Sequence, residues 1–147
     1  MAPKARKIDD TRQMLRDSGL RATPARIAVL DLLAAARQPS THLEISERLD
    51  SRGIDKSTVF RALNDLSEAG LARRMELGDH ICRYEPTRPA GLDGVPGPVH
   101  PHLLCVDCGA ITCLNEDDVT LKIAKSVGVI EDVLLKGHCA NCTEAGK

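Results

Sequence analysis

Four cysteines are arranged as two Cys-x-x-Cys pairs, a spacing that suits metal binding. Cys105 and Cys108 form the first pair, Cys139 and Cys142 form the second, and 30 residues separate the pairs. Each pair can present two thiolates from one turn, and two such turns complete the tetrahedral sulfur set of a structural zinc ion. A redox pair or a chance arrangement is the alternative, but the spacing favours a zinc ion bound by protein ligands alone.

A second group of possible ligands surrounds the first cysteine pair. His100 and His102 flank Pro101. In an extended segment, residues i and i+2 point to the same side, so both imidazoles can reach one ion. The alternative is that both are solvated. Cys113 lies in the same region, and it either joins such a site or packs as a small apolar residue.

The remaining histidines and the sixth cysteine have plainer interpretations. His80 and Cys82 share one face of a predicted strand, and Glu85 lies on its other face at the strand's end. The hypothesis favoured for Cys82 is packing or an unreactive thiol. We expect His42 to be solvated and His138 to orient the neighbouring cysteine pair.

Catalytic motifs are missing from the sequence. It contains no phosphate-binding loop, no Gly-x-Ser-x-Gly elbow and no His-Glu-x-x-His. A zinc ion saturated by four cysteines also leaves no open position for water. The chain is therefore not expected to be an enzyme; a zinc enzyme using His100 and His102 is the weakest alternative.

Composition and charge exclude further classes of protein. Hydrophobic residues make up 42% and charged residues 28% of the 147 residues. Phe60 and Tyr84 are the only aromatic residues, so base-stacking binders of single strands are excluded and the core must be aliphatic. No apolar run approaches 18 residues, and the basic N-terminus lacks a following apolar stretch. We therefore expect a cytoplasmic protein without membrane contact.

The first half of the chain is the half suited to a polyanion. Residues 1–74 carry 14 Lys or Arg and 10 Asp or Glu, whereas residues 75–147 carry 6 and 11.

Thr23-Pro24 predicts a helix start, and Thr41 with Glu44 predicts a capping box. Helices are predicted over 8–18, 26–36, 41 to before 53, and 57–69. Strands are predicted over 72–77 and 80–85, joined by a two-residue Gly-Asp turn.

The fourth predicted helix has two distinct faces. One face is apolar and carries Val59, Ala62, Leu63 and Leu66. The opposite face carries Ser57, Phe60, Arg61 and Asn64. An exposed Phe beside an Arg is ordinary for a helix that enters a DNA groove. Helices followed by a hairpin predict a winged helix-turn-helix, which we assign to residues 1–85.

The second half is predicted to be a small β-α-β domain over residues 100–147, after a Pro/Gly-rich linker over 86–99. A strand is predicted over 102–114, a helix from Asn115 to Gly128, and a strand over 129–135. The helix would carry Val119, Ile123 and Val127. About 45 residues form a marginal core, so a zinc clamp or an oligomer interface must add stability. The fold class is α+β.

These motifs, in this order, resemble the ferric uptake regulator (Fur) family of bacterial metal-sensing repressors over roughly residues 12–142. Residues 20–26 and 57–71 are similar to its DNA-binding motifs, and residues 100–109 and 137–142 to its metal motifs. The resemblance implies a homodimer that binds AT-rich inverted repeats of double-stranded DNA when a regulatory metal is bound. It assigns DNA contacts to Ser57, Thr58, Phe60 and Arg61, and we add Asn64 from the same helix face.

The resemblance also implies a regulatory metal site at a hinge between the domains. Its ligands would be Glu85, His100, His102 and Cys113, with Cys82 or His80 as a substitute for one of them. Cys113 stands where the family has an acid, and a Glu-His-His-Cys set suits Zn²⁺ better than Fe²⁺ or Mn²⁺.

The sequence thus predicts a zinc-sensing repressor of metal-homeostasis genes with one structural zinc and one regulatory metal. Two alternatives within the family are sensing of iron or another metal, and redox or peroxide sensing through Cys82 and Cys113. An alternative of another class is a zinc-stabilised protein-interaction module that does not bind DNA.

Overall fold

The computed structural model describes residues 7–36, 38–87, 101–114, 117–130 and 133–146. The chain divides into two units, Met1–Pro89 and Ala90–Lys147. From residue 88 onward, the predicted linker lies outside the described residues, as does His100.

Within its described residues, the first unit contains four helices and a three-stranded sheet of order β1-β3-β2. Its elements are α1 (Ile8–Asp17), α2 (Pro24–Ala35), β1 (Ser40–Thr41), α3 (His42–Asp50), α4 (Lys56–Glu68), β2 (Ala72–Glu76) and β3 (Cys82–Pro86). The short strand β1 was not predicted; it pairs with β3 through Ser40 opposite Tyr84. This order of elements is the predicted winged helix-turn-helix.

The predicted helix caps are confirmed. Thr23 Oγ1 accepts the backbone N–H of Arg26 at 3.3 Å, with Pro24 at the first helical position. At α3, Thr41 Oγ1 accepts the Glu44 N–H at 3.2 Å and the Glu44 carboxylate accepts the Thr41 N–H at 2.7 Å. These local bonds fix where α2 and α3 begin.

The core of the first unit is aliphatic, as predicted, apart from one tyrosine. Helix α2 packs against α1, α3 and α4, and the sheet packs against α2 and α4. The buried residues are Leu15, Ala28, Val29, Leu30, Leu33, Ile45, Leu49, Val59, Ala62, Leu63, Leu66, Ala72 and Tyr84. The apolar face predicted for the fourth helix is therefore confirmed, and Phe60, on its other side, is 49% exposed.

The predicted two-residue turn between β2 and β3 is wrong. The connection runs over residues 77–81, with Gly78 at φ 83° and His80 at φ 60°. Asp79 Oδ1 accepts the backbone N–H of Ile81 at 3.1 Å, which stabilises this longer loop. His80 consequently lies in the turn rather than beside Cys82, and its side chain is 96% exposed.

The second unit contains a three-stranded sheet of order β5-β4-β6. Its elements are β4 (His102–Cys105), β5 (Ile111–Cys113), β6 (Leu134–Gly137) and α5 (Ala140–Glu144). The single strand predicted over 102–114 is wrong, because the chain reverses between β4 and β5 and the two pair antiparallel. Gly109, at φ 73°, takes a conformation in that turn which side chains disfavour. Strand β6 lies parallel to β4 and begins later than predicted.

The helix predicted after Asn115 is also wrong for the described residues 117–130. That segment contains only a 3₁₀ turn, Lys125–Val127. Its apolar side chains are largely exposed: Ile123 by 47%, Val127 by 62% and Val129 by 93%. An amphipathic helix gains most of its stability from packing of its apolar face, and these apolar side chains remain exposed among the described residues of the second unit.

Candidate metal centre and nucleic-acid interface

The four cysteines of the two Cys-x-x-Cys pairs meet at one end of the second unit. The Sγ atoms of Cys105, Cys108, Cys139 and Cys142 all lie within 4.8 Å of one another. The Sγ atoms of Cys108 and Cys139 are 3.8 Å apart. A tetrahedron with Zn–S bonds of 2.3 Å has S···S edges of about 3.8 Å. The sulfur positions therefore fit a zinc ion.

Strand pairing and a short helix bring the two pairs together. Cys105 ends β4 and pairs with Gly137 at the end of β6. The Val106 N–H donates to the Gly137 carbonyl at 2.8 Å and continues this pairing into the turn. Helix α5, which was not predicted, begins directly after Cys139 and carries Cys142 back towards the other thiols. Because β4 and β6 are parallel neighbours, their C-terminal ends place both cysteine pairs at the same end of the sheet.

The thiols of this cluster have unequal proton affinities. The Cys139 N–H donates to Cys105 Sγ at 3.3 Å and is the largest cause that lowers the pKa of Cys105 to about 6. Side-chain contacts with Cys139 and then Cys108 raise the pKa of Cys142. The Cys105 thiolate is thus already stabilised by backbone donors, while Cys142 ionises readily only beside a cation. A soft, dipositive ion such as Zn²⁺ supplies that charge.

An ion pair connects the two cysteine turns outside the sulfur cluster. His138 Nδ1 lies 2.6 Å from Asp107 Oδ2. The hydrogen bond to this carboxylate raises the pKa of the His138 imidazole. Asp107 lies between the cysteines of the first pair, and His138 directly precedes the second pair. The predicted orienting role of His138 therefore has a partner in the structure.

Two of the predicted regulatory ligands are cross-strand neighbours in the second unit. His102, on β4, lies opposite Cys113, on β5. The His102 side chain is 1% exposed, and Cys113 is half-buried. This register places an imidazole and a thiol side by side, a pair of donors that a transition metal accepts.

The other predicted regulatory residues in the described chain belong to the hairpin formed by β2 and β3 and the loop between them, which we call the wing. Glu85, on β3, is 6% exposed, and its carboxylate lies 3.6 Å from the Arg73 guanidinium. Cys82 accepts two hydrogen bonds from Arg74, with N···S distances of 3.0 and 3.3 Å. Cys82 is therefore held by a cation and does not merely pack against the core.

Helix α4 presents the residues predicted to contact DNA. Its N-cap is Asp55, which accepts the Thr58 N–H at 3.0 Å and the Ser57 hydroxyl at 2.7 Å. Hydrogen bonds from Thr58 and then Ser57 lower the pKa of Asp55 to about 2. Phe60 and Arg61 are exposed and Asn64 is half-buried.

An ion pair connects α4 to the neighbouring helix α2. Arg26, on α2, donates from Nη2 and Nε to Asp65 Oδ2 at 2.8 and 3.1 Å. Both residues of this pair are partly buried, whereas Arg61, the arginine of α4, is exposed.

The environment of His42 differs from the one expected from the sequence. The residue is half-buried, and its Nε2 lies 2.9 Å from the Lys56 carbonyl oxygen. Its ring meets the Phe60 ring edge-on, with centroids 5.7 Å apart and an interplanar angle of 77°. The expected solvated histidine is therefore wrong; no local pattern signals a contact between two separate helices.

A winged helix-turn-helix unit and a second unit that gathers four sulfur atoms are the parts of a metal-binding transcription regulator. In the described ranges, every helix is too short or too polar to serve as a membrane span.

Comparison with known proteins assigns the family. The model of the ferric uptake regulator family matches residues 17–138, and the chain belongs to this family of DNA-binding, metal-responsive transcriptional repressors. The chain is 30% identical to the ferric uptake regulation protein of Klebsiella pneumoniae over 151 residues, an alignment that covers 93% of this chain and 90% of that protein. Members of the family are transcription regulators, not enzymes.

Two solved structures share the fold. The ferric uptake regulator from Francisella tularensis with iron has a TM-score of 0.64 and 22% identity, covering 85% of this chain and 96% of the other. A zinc uptake regulator complexed with zinc and DNA has a TM-score of 0.62 and 20% identity, covering 95% of this chain and 94% of the other.

Proposed function

We propose that this chain is a dimeric repressor that binds an inverted-repeat operator when zinc occupies a regulatory site. The observation that carries the choice of zinc is the cross-strand pairing of His102 with Cys113. A thiolate beside an imidazole is a softer donor pair than the carboxylate sets that suit Mn²⁺, and it suits Zn²⁺. Because the proposed repressor binds chromosomal DNA, we expect it to be located in the cytoplasm.

The proposed regulatory ligands are His102 and Cys113 together with His100 and Glu85. His100 is included because it precedes His102 by two residues, and Glu85 is included because of the family resemblance. When bound, zinc stabilises the DNA-competent state of the dimer by its higher affinity for that state. Fe²⁺ is the alternative effector. The four-cysteine cluster holds a separate, structural zinc ion in each subunit.

The proposed DNA reader is the exposed face of α4. The second helix of a helix-turn-helix lies in the major groove and contacts base edges near its N-terminus. Arg61 would reach a guanine edge or a phosphate, and Phe60 would contact a thymine methyl group. Ser57, Thr58 and Asn64 lie along the same helix. In a homodimer, two such helices are related by a two-fold axis, which an inverted repeat mirrors.

The proposal is tested by measuring DNA affinity at buffered free-metal concentrations. The probe is a duplex that the zinc-loaded protein enriches from a pool randomised over about 30 base pairs, enough for two half-sites one helical turn apart. We expect zinc to induce tight binding. Cys113→Ser should need at least about tenfold more free zinc, since even changes to outer-shell partners of a metal site reach that size.

The matched control is Cys82→Ser, which removes a thiol from the wing instead. It should respond to zinc like the wild type. An unchanged zinc response of Cys113→Ser would refute the ligand assignment. Binding induced by anaerobic Fe²⁺ but not by zinc would replace zinc with iron as the effector.

The contact between Arg74 and Cys82 favours thiol-based sensing as a second candidate function. Arg74 holds the half-buried Cys82 sulfur at an N···S distance of 3.0 Å, and a cysteine sulfur is the atom that peroxide oxidises. In the same binding assay, this function predicts that hydrogen peroxide releases DNA from the wild type but not from Cys82→Ser. Equal release of DNA by peroxide from the wild type and from Cys82→Ser would refute this second candidate function.

A further inference from the structure

His42 joins the two helices of the DNA-binding motif at their N-termini. It is the first residue of α3, and the capping box formed by Thr41 and Glu44 fixes the chain directly before it. Its Nε2 lies 2.9 Å from the carbonyl oxygen of Lys56, the first residue of α4. A carbonyl oxygen only accepts hydrogen bonds, so Nε2 carries the proton and donates. This bond sets the orientation of the imidazole ring.

The oriented imidazole in turn restrains Phe60. The two rings meet at 77° with centroids 5.7 Å apart, within the range of favourable edge-to-face pairs. Phe60 is otherwise 49% exposed, on the side of α4 away from the aliphatic core. An exposed phenylalanine without such a neighbour would be free to exchange rotamers.

We propose that His42 is a positioning residue for DNA recognition, which holds the Phe60 ring in the orientation that meets a thymine methyl group. Restraining a recognition side chain before binding reduces the conformational entropy that it loses at the DNA. His42 thereby acts through Phe60 rather than by its own contact with a base. This inference rests on the proposed DNA-reading role of α4.

The first experiment reports on the ring contact without DNA. Phe60 is the only phenylalanine in the chain, so 4-fluorophenylalanine labels one position and gives one ¹⁹F resonance. We expect His42→Ala to move this resonance, because the edge-on imidazole is lost. His42→Tyr should largely restore the ring contact while keeping a single labelled position. His80→Ala, on the exposed wing loop, is the matched control and should leave the resonance in place.

The second experiment is a double-mutant cycle on DNA affinity, using the full-length zinc-loaded protein and the enriched duplex. His42→Ala, Phe60→Ala and the double variant are compared with wild type. The expected coupling is about threefold to tenfold in Kd, the usual strength of an aromatic pair. Wild type should lose affinity when the contacted thymine is replaced by deoxyuridine, and both single variants should lose less.

The outcomes separate this inference from the function on which it rests. If the wild type enriches a duplex but the cycle is additive, His42 does not position Phe60 and the inference is overturned. An unmoved ¹⁹F resonance in His42→Ala overturns it as well. If the wild type enriches no duplex, the DNA-binding role of α4 fails, and the positioning role falls with it.

Discussion

Removing the structural zinc should unfold the second unit and leave the first unit folded. In the described part of the second unit, Pro101 and Ile111 are the buried apolar residues other than cysteine, and Ile111 is the larger of the two. Full burial of such a side chain contributes about 1.5 to 3 kcal/mol. A structural zinc ion contributes an apparent 10 to 16 kcal/mol, roughly the whole stability of an ordinary domain. The first unit has its own core of aliphatic side chains and does not depend on the ion.

Hydrogen exchange after treatment with a strong chelator under reducing conditions measures this effect. Amides of β4 and β6 should exchange at the rate of an unfolded chain, while α4 stays protected. The only tyrosine, Tyr84, is buried in the first unit, so its fluorescence reports on that unit alone. Cys142→Ala should reproduce the chelator's effect, and Cys113→Ser should not. Protection of β4 and β6 that survives complete zinc removal would refute the reasoning.

Three further predictions concern the first unit. Leu63→Ala should lower its free energy of unfolding by about 2 to 5 kcal/mol, because Leu63 is fully buried; urea unfolding followed by Tyr84 fluorescence measures this, and a loss below 1 kcal/mol would contradict it. Hydrogen bonds, first from Thr58, lower the pKa of Asp55 to about 2, so its charged form favours the folded state. That contribution is present above about pH 4 and is lost as the pH falls through about 2, so the urea midpoint should fall more steeply there for wild type than for Asp55→Asn, and parallel curves would contradict it. Arg61→Ala should reduce the slope of log Kd against log salt by about one unit in anisotropy titrations, and an unchanged slope would exclude a phosphate contact.

The features that could be predicted from the sequence depend on neighbours in the chain. The apolar face of α4 follows from residues three and four apart, and the core confirms it. Thr23 and Thr41 cap their helices through bonds to residues three positions away. The spacing of the two Cys-x-x-Cys pairs is by itself enough to predict a tetrahedral four-sulfur metal site. Such short-range chemistry can be inferred from sequence because it needs no knowledge of the tertiary fold.

The errors occurred where distant parts of the chain decide the outcome. The apolar spacing after Asn115 suits a helix, but a helical face needs a surface to pack against. The turn after β2 is a different case, because Gly78-Asp79 is compatible with a two-residue turn and the longer loop depends on local features, the Ile81 N–H bond to Asp79 and the left-handed conformation of His80. His42 contacts Phe60 only because α3 and α4 cross at their N-termini.

Native mass spectrometry, combined with DNA binding, tests the central claim most directly. The protein is measured before and after mild chelation, and each sample is titrated with the enriched duplex. We expect two zinc ions per subunit, of which one is removed easily together with DNA binding, and zinc should restore both. A single zinc ion that resists chelation, with DNA binding unchanged by any added metal, would contradict it.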